Sequence, residues 1–163
     1  MSTSSPPVDA DLARRFLSPQ HRIAVVGASD DPQNFGRTVY RELRDHGHDV
    51  AAVNPGATTV LGDPCHPDLR AVPGVVDVAL VMVGPDRAEE AVSDAIAAGV
   101  ERIWLFKGVG GPGSVSSGAV QLCTDAGVEV VAGACPLMFL EPTALVHRVH
   151  RRLRSLRGGV VNA

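Results

Sequence analysis

With 163 residues, 45% of them hydrophobic and 20% charged, the chain has ordinary globular composition and a length that suits one domain with a sizeable core. Pro, Gly, Asp or Arg interrupts every apolar stretch well short of the roughly 18 residues that cross a bilayer, which excludes a membrane-spanning helix. The net charge is −3, and because Arg148, Arg151, Arg152, Arg154 and Arg157 all follow the last acid, Glu141, the body is acidic and argues against broad nucleic-acid binding.

Met1 to Asp11 is rich in Ser and Pro and lacks the charged start and apolar segment of a secretory signal. Residues 1–20 are therefore expected to be a flexible tail and lead-in on a cytoplasmic protein. Cys65, Cys123 and Cys135 lie far apart without a C-x-x-C pair, which points to reduced thiols rather than a disulfide framework or a zinc knuckle.

The first strand is expected at Arg22–Gly27, where Ile23 to Val26 form a continuous apolar run, the mark of a parallel strand buried on both faces. A loop rich in Ser, Asp, Pro and Asn follows, then a helix from Gly36 to His46, with Val39 and Leu43 spaced i, i+4 and Gly47 as its stop. Asp49–Val53 reads as a second strand and Val76–Val83 as a third, closed by Asn54-Pro55-Gly56 and by Gly84-Pro85. Pro85 suits the first turn of a helix to about Ala98, with Ala88, Ala91, Val92, Ala95 and Ile96 turned inward. Ile103–Phe106 is a fourth strand, Ser116–Ala126 a helix, and Val128–Val131 a fifth strand. Residues 142–156 carry Leu145, Val149, Leu153 and Leu156 on one stripe, so 141–163 reads as a basic amphipathic helix and tail. The architecture expected is a single doubly wound α/β domain, a five-stranded, mainly parallel sheet with helices on both faces, its ligand crevice at the carboxyl ends of the strands.

Those ends carry Gly27-Ala28-Ser29, Asn54-Pro55, Gly84-Pro85 and Lys107-Gly108, the last holding the only lysine. The first loop is the phosphate candidate: Gly27 permits a tight turn, Gly36 a close approach, and the helix start with Arg37 favours an anion. The Gly27–Ser29–Gly36 spacing is not G-x-G-x-x-G, and Asn54 stands where a dinucleotide site places an acidic ribose ligand. An NAD(P)-type site is thus the weaker alternative, and a pyrophosphate-bearing nucleotide that needs no such carboxylate remains open.

At this point the chain resembles the small stand-alone CoA-binding proteins, whose Rossmann-like domain also occurs in the alpha subunit of succinyl-CoA synthetase and in ADP-forming acyl-CoA synthetases. The matching pieces are Ile23 to Ser29, Val53-Asn54-Pro55, Leu61-Gly62 with Cys65-His66-Pro67, and Val75 to Ala79. Gly99-Val100 with Ile103-Trp104-Leu105 and Gly108, then Gly127 to Val131 with Cys135-Pro136, keep the family's order across about residues 20–140. The resemblance implies a domain over 21–140 that binds coenzyme A or an acyl-CoA. It further implies that Gly27, Ala28, Ser29, Phe35 and Gly36 hold phosphates, that Asn54, Pro55, Val83, Gly84 and Pro85 border adenine and ribose, and that Lys107 and Gly108 lie along the cofactor. Phe106 departs from the glutamine common in the small members, and the stretch after Gly108 is richer in glycine than theirs.

In the synthetases the chemistry needs further domains and a phosphorylated histidine, for which this sequence offers no obvious equivalent. Binding without turnover is the leading expectation. An enzyme alternative would use Cys135 for thiol-dependent acyl or disulfide exchange, against the plainer role of a packed cysteine. His147 and His150, one helical turn apart, lack a third ligand, so no metal site is expected. Asp30 and Asp31 read as solvated or capping groups. The arginine-rich helix could dock an acidic partner, yet packing on the domain or across a homodimer explains it more simply.

Overall fold

The computed structural model of the chain describes residues 8–108, 111 and 113–140. Among the described residues seven strands make one sheet: β1 Arg22–Val26, β2 Asp49–Val53, β3 Thr59–Val60, β4 Asp63–His66, β5 Val78–Val81, β6 Arg102–Phe106 and β7 Glu129–Ala134. Their spatial order is β3-β4-β2-β1-β5-β6-β7, parallel throughout except for the antiparallel β3–β4 pair. The helices are α1 Ala10–Phe16, α2 Phe35–Asp45, α3 Pro85–Ala97 and α4 Ser117–Asp125. The parallel α/β fold with helices on both faces is as expected; the five strands are corrected to seven.

The two additional strands form a hairpin that turns at Leu61 and Gly62, both at positive φ (50° and 81°). A two-residue strand has no periodicity to read, and Pro64 argues against an inner strand, yet β4 lies between β3 and β2, with Pro64 facing Thr59 of the short border strand while Cys65 and His66 carry the pairing to β2. The pairing of β6 with β7 skips Gly133, since Leu105 faces Ala132 and Phe106 faces Ala134. Gly133, at φ +100°, takes up this bulge, so β7 continues three residues past the expected end at Val131. At β5 the strand is shorter than expected, because the Asp77 carboxylate instead accepts the Arg22 N–H at 2.7 Å.

Alternation along the strands divides the core. Ile23 and Val25 face α1 and α2, while Ala24 faces α3, and all three are fully buried. On the second face Ala88, Ala91, Val92 and Ala95 of α3 are buried as expected, with Ile96 half-buried. On the first, α1 replaces the flexible lead-in expected before residue 20. The Asp9 carboxylate accepts the N–H groups of Asp11 and Leu12, and Phe16 packs edge-on to Trp104 at 6.3 Å between ring centres. The signal was present, an N-capping acid before Leu12, Ala13, Phe16 and Leu17, but spread over only seven helical residues. The expected helix over 142–156 lies outside the described residues.

Tyr40 of α2 donates its hydroxyl hydrogen to the Asp63 carboxylate at 2.8 Å, and Arg44 pairs with the same carboxylate at 3.0 Å. Burial, and then this hydrogen bond, holds the phenol well above its ordinary range. Burial likewise raises the thiols of Cys65 and Cys123. A group that binds its proton more tightly when folded contributes stability below its unfolded pKa and loses it as the pH rises. Stability is therefore expected to decline above about pH 9, first through the thiols and then, past about pH 10, through Tyr40. Tyr40→Phe should cost about 1 kcal/mol at neutral pH and flatten the steeper, later part of that decline in urea midpoints measured across the range.

Candidate functional site

The strand ends meet at a cleft of about 320 Å³ where the chain crosses from one face of the sheet to the other. Its walls come from the ends of β1, β2 and β5, from Pro67-Asp68-Leu69, and from one side of α3. In an open parallel sheet this switch point, between β1 and β5, is where a crevice must form, because the connections leave in opposite directions. A second cavity of about 600 Å³ includes Arg22, Tyr40, Arg44, Asp49 and Asp63, with the openings of β1 and β2 in its lining. There Tyr40, Arg44 and Asp63 satisfy one another, and the cavity lies at the amino ends of β1 and β2, away from the carboxyl ends where an open parallel sheet forms its ligand crevice. The smaller cleft is the candidate site.

Two asparagine amides shape its first loop. After β1 the chain turns at Gly27, at φ +103°, whose N–H donates to the Val53 carbonyl at 2.8 Å. Asn34 caps α2: its oxygen accepts the Arg37 N–H at 2.8 Å and its amide nitrogen donates to the Gly27 carbonyl at 3.0 Å. Asn54 works from the other side, donating to the Ala28 carbonyl at 3.0 Å and accepting the Gly56 N–H at 2.9 Å. The Asp30 carboxylate accepts the Leu61 N–H at 2.7 Å and so ties the loop to the β3–β4 turn. Gly36 is a contact glycine: a Cβ there would come within 3.1 Å of the Ala28 Cα. The first turn of α2 carries no acidic residue, and the Arg37 Nε is buried without a hydrogen-bond partner among the described residues.

Of the residues singled out in the sequence, Gly27, Asn54, Pro55, Val83 and Gly84 line the cleft. Ala28 is fully buried beneath α2, Ser29 accepts the Asp31 N–H with its hydroxyl, and Gly36 and Arg37 belong to the helix start behind the loop. Pro85 opens α3. Phe35, 42% exposed, packs its ring at 5.3 Å from Phe106, and Gly108 sits against the Phe106 ring. Lys107 is exposed and outside the lining, its N–H donating to the Ala134 carbonyl at 3.2 Å. The loop after β6 is still joined to the cleft wall, because Ser114 donates its hydroxyl hydrogen to the Val83 carbonyl while its N–H donates to that of Phe106. Cys135 is half-buried at the end of β7, away from the lining, and its carbonyl accepts the Met138 N–H.

Sequence reasoning missed Asn34 and the helical wall formed by Arg87, Glu90, Ala91 and Asp94. Asn34 carried a readable signal, a capping residue three positions before Arg37. The helical wall did not, since its charged positions follow the pattern of a solvated face.

Residues 21–141 match the model of the CoA binding domain family. The chain is similar to the ADP-forming acetate–CoA ligase I of Archaeoglobus fulgidus, 31% identical over 118 residues, an alignment that takes in 69% of this chain but 17% of the ligase. It is 25% identical to the uncharacterized protein YneT of Bacillus subtilis, covering 75% of this chain and 87% of that one. Among solved structures, a hypothetical protein from Pyrococcus horikoshii superposes with a TM-score of 0.74 at 29% identity, over 85% of this chain and 96% of its own. The dinucleotide-forming acetyl-coenzyme A synthetase 1 of Ca. Korarchaeum cryptofilum, in complex with phosphate and ADP, gives a TM-score of 0.63 at 32% identity, over 77% of this chain and 28% of its own.

Proposed function

The chain belongs to the CoA binding domain family, and on that premise we propose that it holds coenzyme A, or an acyl-CoA, in the strand-end cleft as a binder that does not turn it over. The observation that carries this reading is the cleft lining: Gly27, Asn54, Pro55, Val83 and Gly84 converge on one space from three separate strand ends. The pyrophosphate lies against the Gly27–Ser29 loop and the start of α2, where backbone N–H groups and the helix dipole favour an anion and Arg37 adds charge. Adenine and ribose sit between Asn54-Pro55 and Val83-Gly84, with Val26, Val53 and Met82 as the apolar floor.

Binding without catalysis is supported by the chemistry of the lining. Among the described residues that form it there is no cysteine, serine, histidine, lysine or tyrosine to act as a nucleophile, and its ionisable side chains are Asp68, Arg87, Glu90 and Asp94. The free thiols of Cys65, Cys123 and Cys135 suit a reducing compartment, which supports a cytoplasmic setting.

Isothermal titration with coenzyme A, acetyl-CoA, NAD and NADP at one salt concentration tests the reading. Coenzyme A should bind with a dissociation constant on the order of 1 μM and the two dinucleotides far more weakly. Equal heats for all four, or none for either CoA ligand, would overturn it.

A further inference from the structure

Arg87 is the one cation among the described residues that line the cleft. It stands in the first turn of α3, level with the strand ends, and is exposed. Among the described residues its guanidinium has neither an ion pair nor a hydrogen bond, although Glu90 follows at the i+3 spacing that commonly pairs on a helix. Glu90 and Asp94 continue down the same wall, about 4.5 and 10 Å further along the helix axis. With Asp68 opposite, the lower cleft is acidic and would repel a phosphate. Asp86 shares the first turn of α3, its carboxylate folded toward Gly84, but the lining's cation is at the mouth, where Arg87 offers a planar fork of donors that matches phosphate oxygens.

Coenzyme A carries, besides its pyrophosphate, a phosphate monoester on the ribose 3′-oxygen. Resting on the coenzyme A reading of this cleft, we infer that Arg87 recognises that 3′-phosphate and so separates coenzyme A from nucleotides that lack it. The two phosphate groups then divide between two walls. The pyrophosphate lies on the acid-free start of α2, and the 3′-phosphate lies across the cleft on the first turn of α3. The carboxylates below accept hydrogen bonds from ribose hydroxyl or adenine amino groups, which they can do and a phosphate cannot.

The test compares coenzyme A with 3′-dephospho-coenzyme A by isothermal titration, on the wild-type chain and on Arg87→Ala. Wild type should prefer coenzyme A by roughly 10- to 100-fold. Arg87→Ala should bring coenzyme A down to the affinity of the dephospho form, leave the dephospho form unchanged, and keep the thermal midpoint of the exposed position. Equal wild-type affinity for the two ligands overturns the inference, as does a variant that weakens both alike, which would put Arg87 on the pyrophosphate. If neither ligand binds wild type, the coenzyme A reading itself fails and takes this assignment with it.

Discussion

Trp104→Ala is expected to lower the unfolding free energy by about 3–5 kcal/mol, a large part of what a domain of this size has. Trp104 is fully buried in the middle of β6. Phe16 of α1 meets it edge-on, Phe139 packs on it at 5.8 Å, and its indole N–H donates to the Ala134 carbonyl at 2.9 Å. One side chain is thus the common seat of α1 and of the turn Pro136–Phe139, so truncation leaves a cavity and undocks two segments. Trp104→Phe keeps most of the ring and should cost less, about 1–2 kcal/mol, because the Ala134 carbonyl retains the Lys107 N–H. Trp104 is the only tryptophan, so its fluorescence disappears with the mutation and urea unfolding must be followed by far-UV circular dichroism. A Trp104→Ala variant within about 1 kcal/mol of wild type would sink the account of how α1 is held.

Gly27→Val should cause the largest loss of ligand affinity, about 100-fold or more for coenzyme A. At φ +103° a β-branched residue is strained by about 1–3 kcal/mol. The added Cβ would also lie 3.0 Å from both the Met82 carbonyl oxygen and the Val83 Cγ1. Relief has to come from moving β1 away from β5, and those are the two strand ends between which the cleft opens. Urea unfolding and titration of the same preparation separate the effects, since the strain lowers stability while the displaced wall lowers affinity in protein that is still folded. Undiminished binding by folded Gly27→Val protein would remove the loop from the site.

The parts of the fold that were legible in the sequence are those in which one local rule acts alone. Ile23 to Val26 announce a doubly buried strand because nothing polar interrupts them, and Pro85 opens α3 at the residue where the helix begins. The β3–β4 hairpin was not legible because two rules conflict there. Leu61 takes a positive φ usually left to glycine or asparagine, and Pro64 sits in a strand. For the site, glycines and prolines at strand ends mark the loops, and the family resemblance ties those loops to one ligand. The wall made by Arg87, Glu90 and Asp94 depends on which side of α3 faces the crossover, a matter of tertiary packing that a charged helix face does not encode.

The shortness of β3 also bears on how copies of the chain can meet. An open sheet edge is a template onto which another backbone can zip, and long, flat edges are where soluble proteins join or aggregate. Here the sheet finishes on one side in two residues, next to a strand whose Pro64 has no N–H to offer. On the other side, the six residues of β7 are broken by the unpaired Gly133. Among the described residues neither border therefore presents a long unbroken ladder, which lowers the tendency of the sheet to grow by edge pairing without closing it into a barrel.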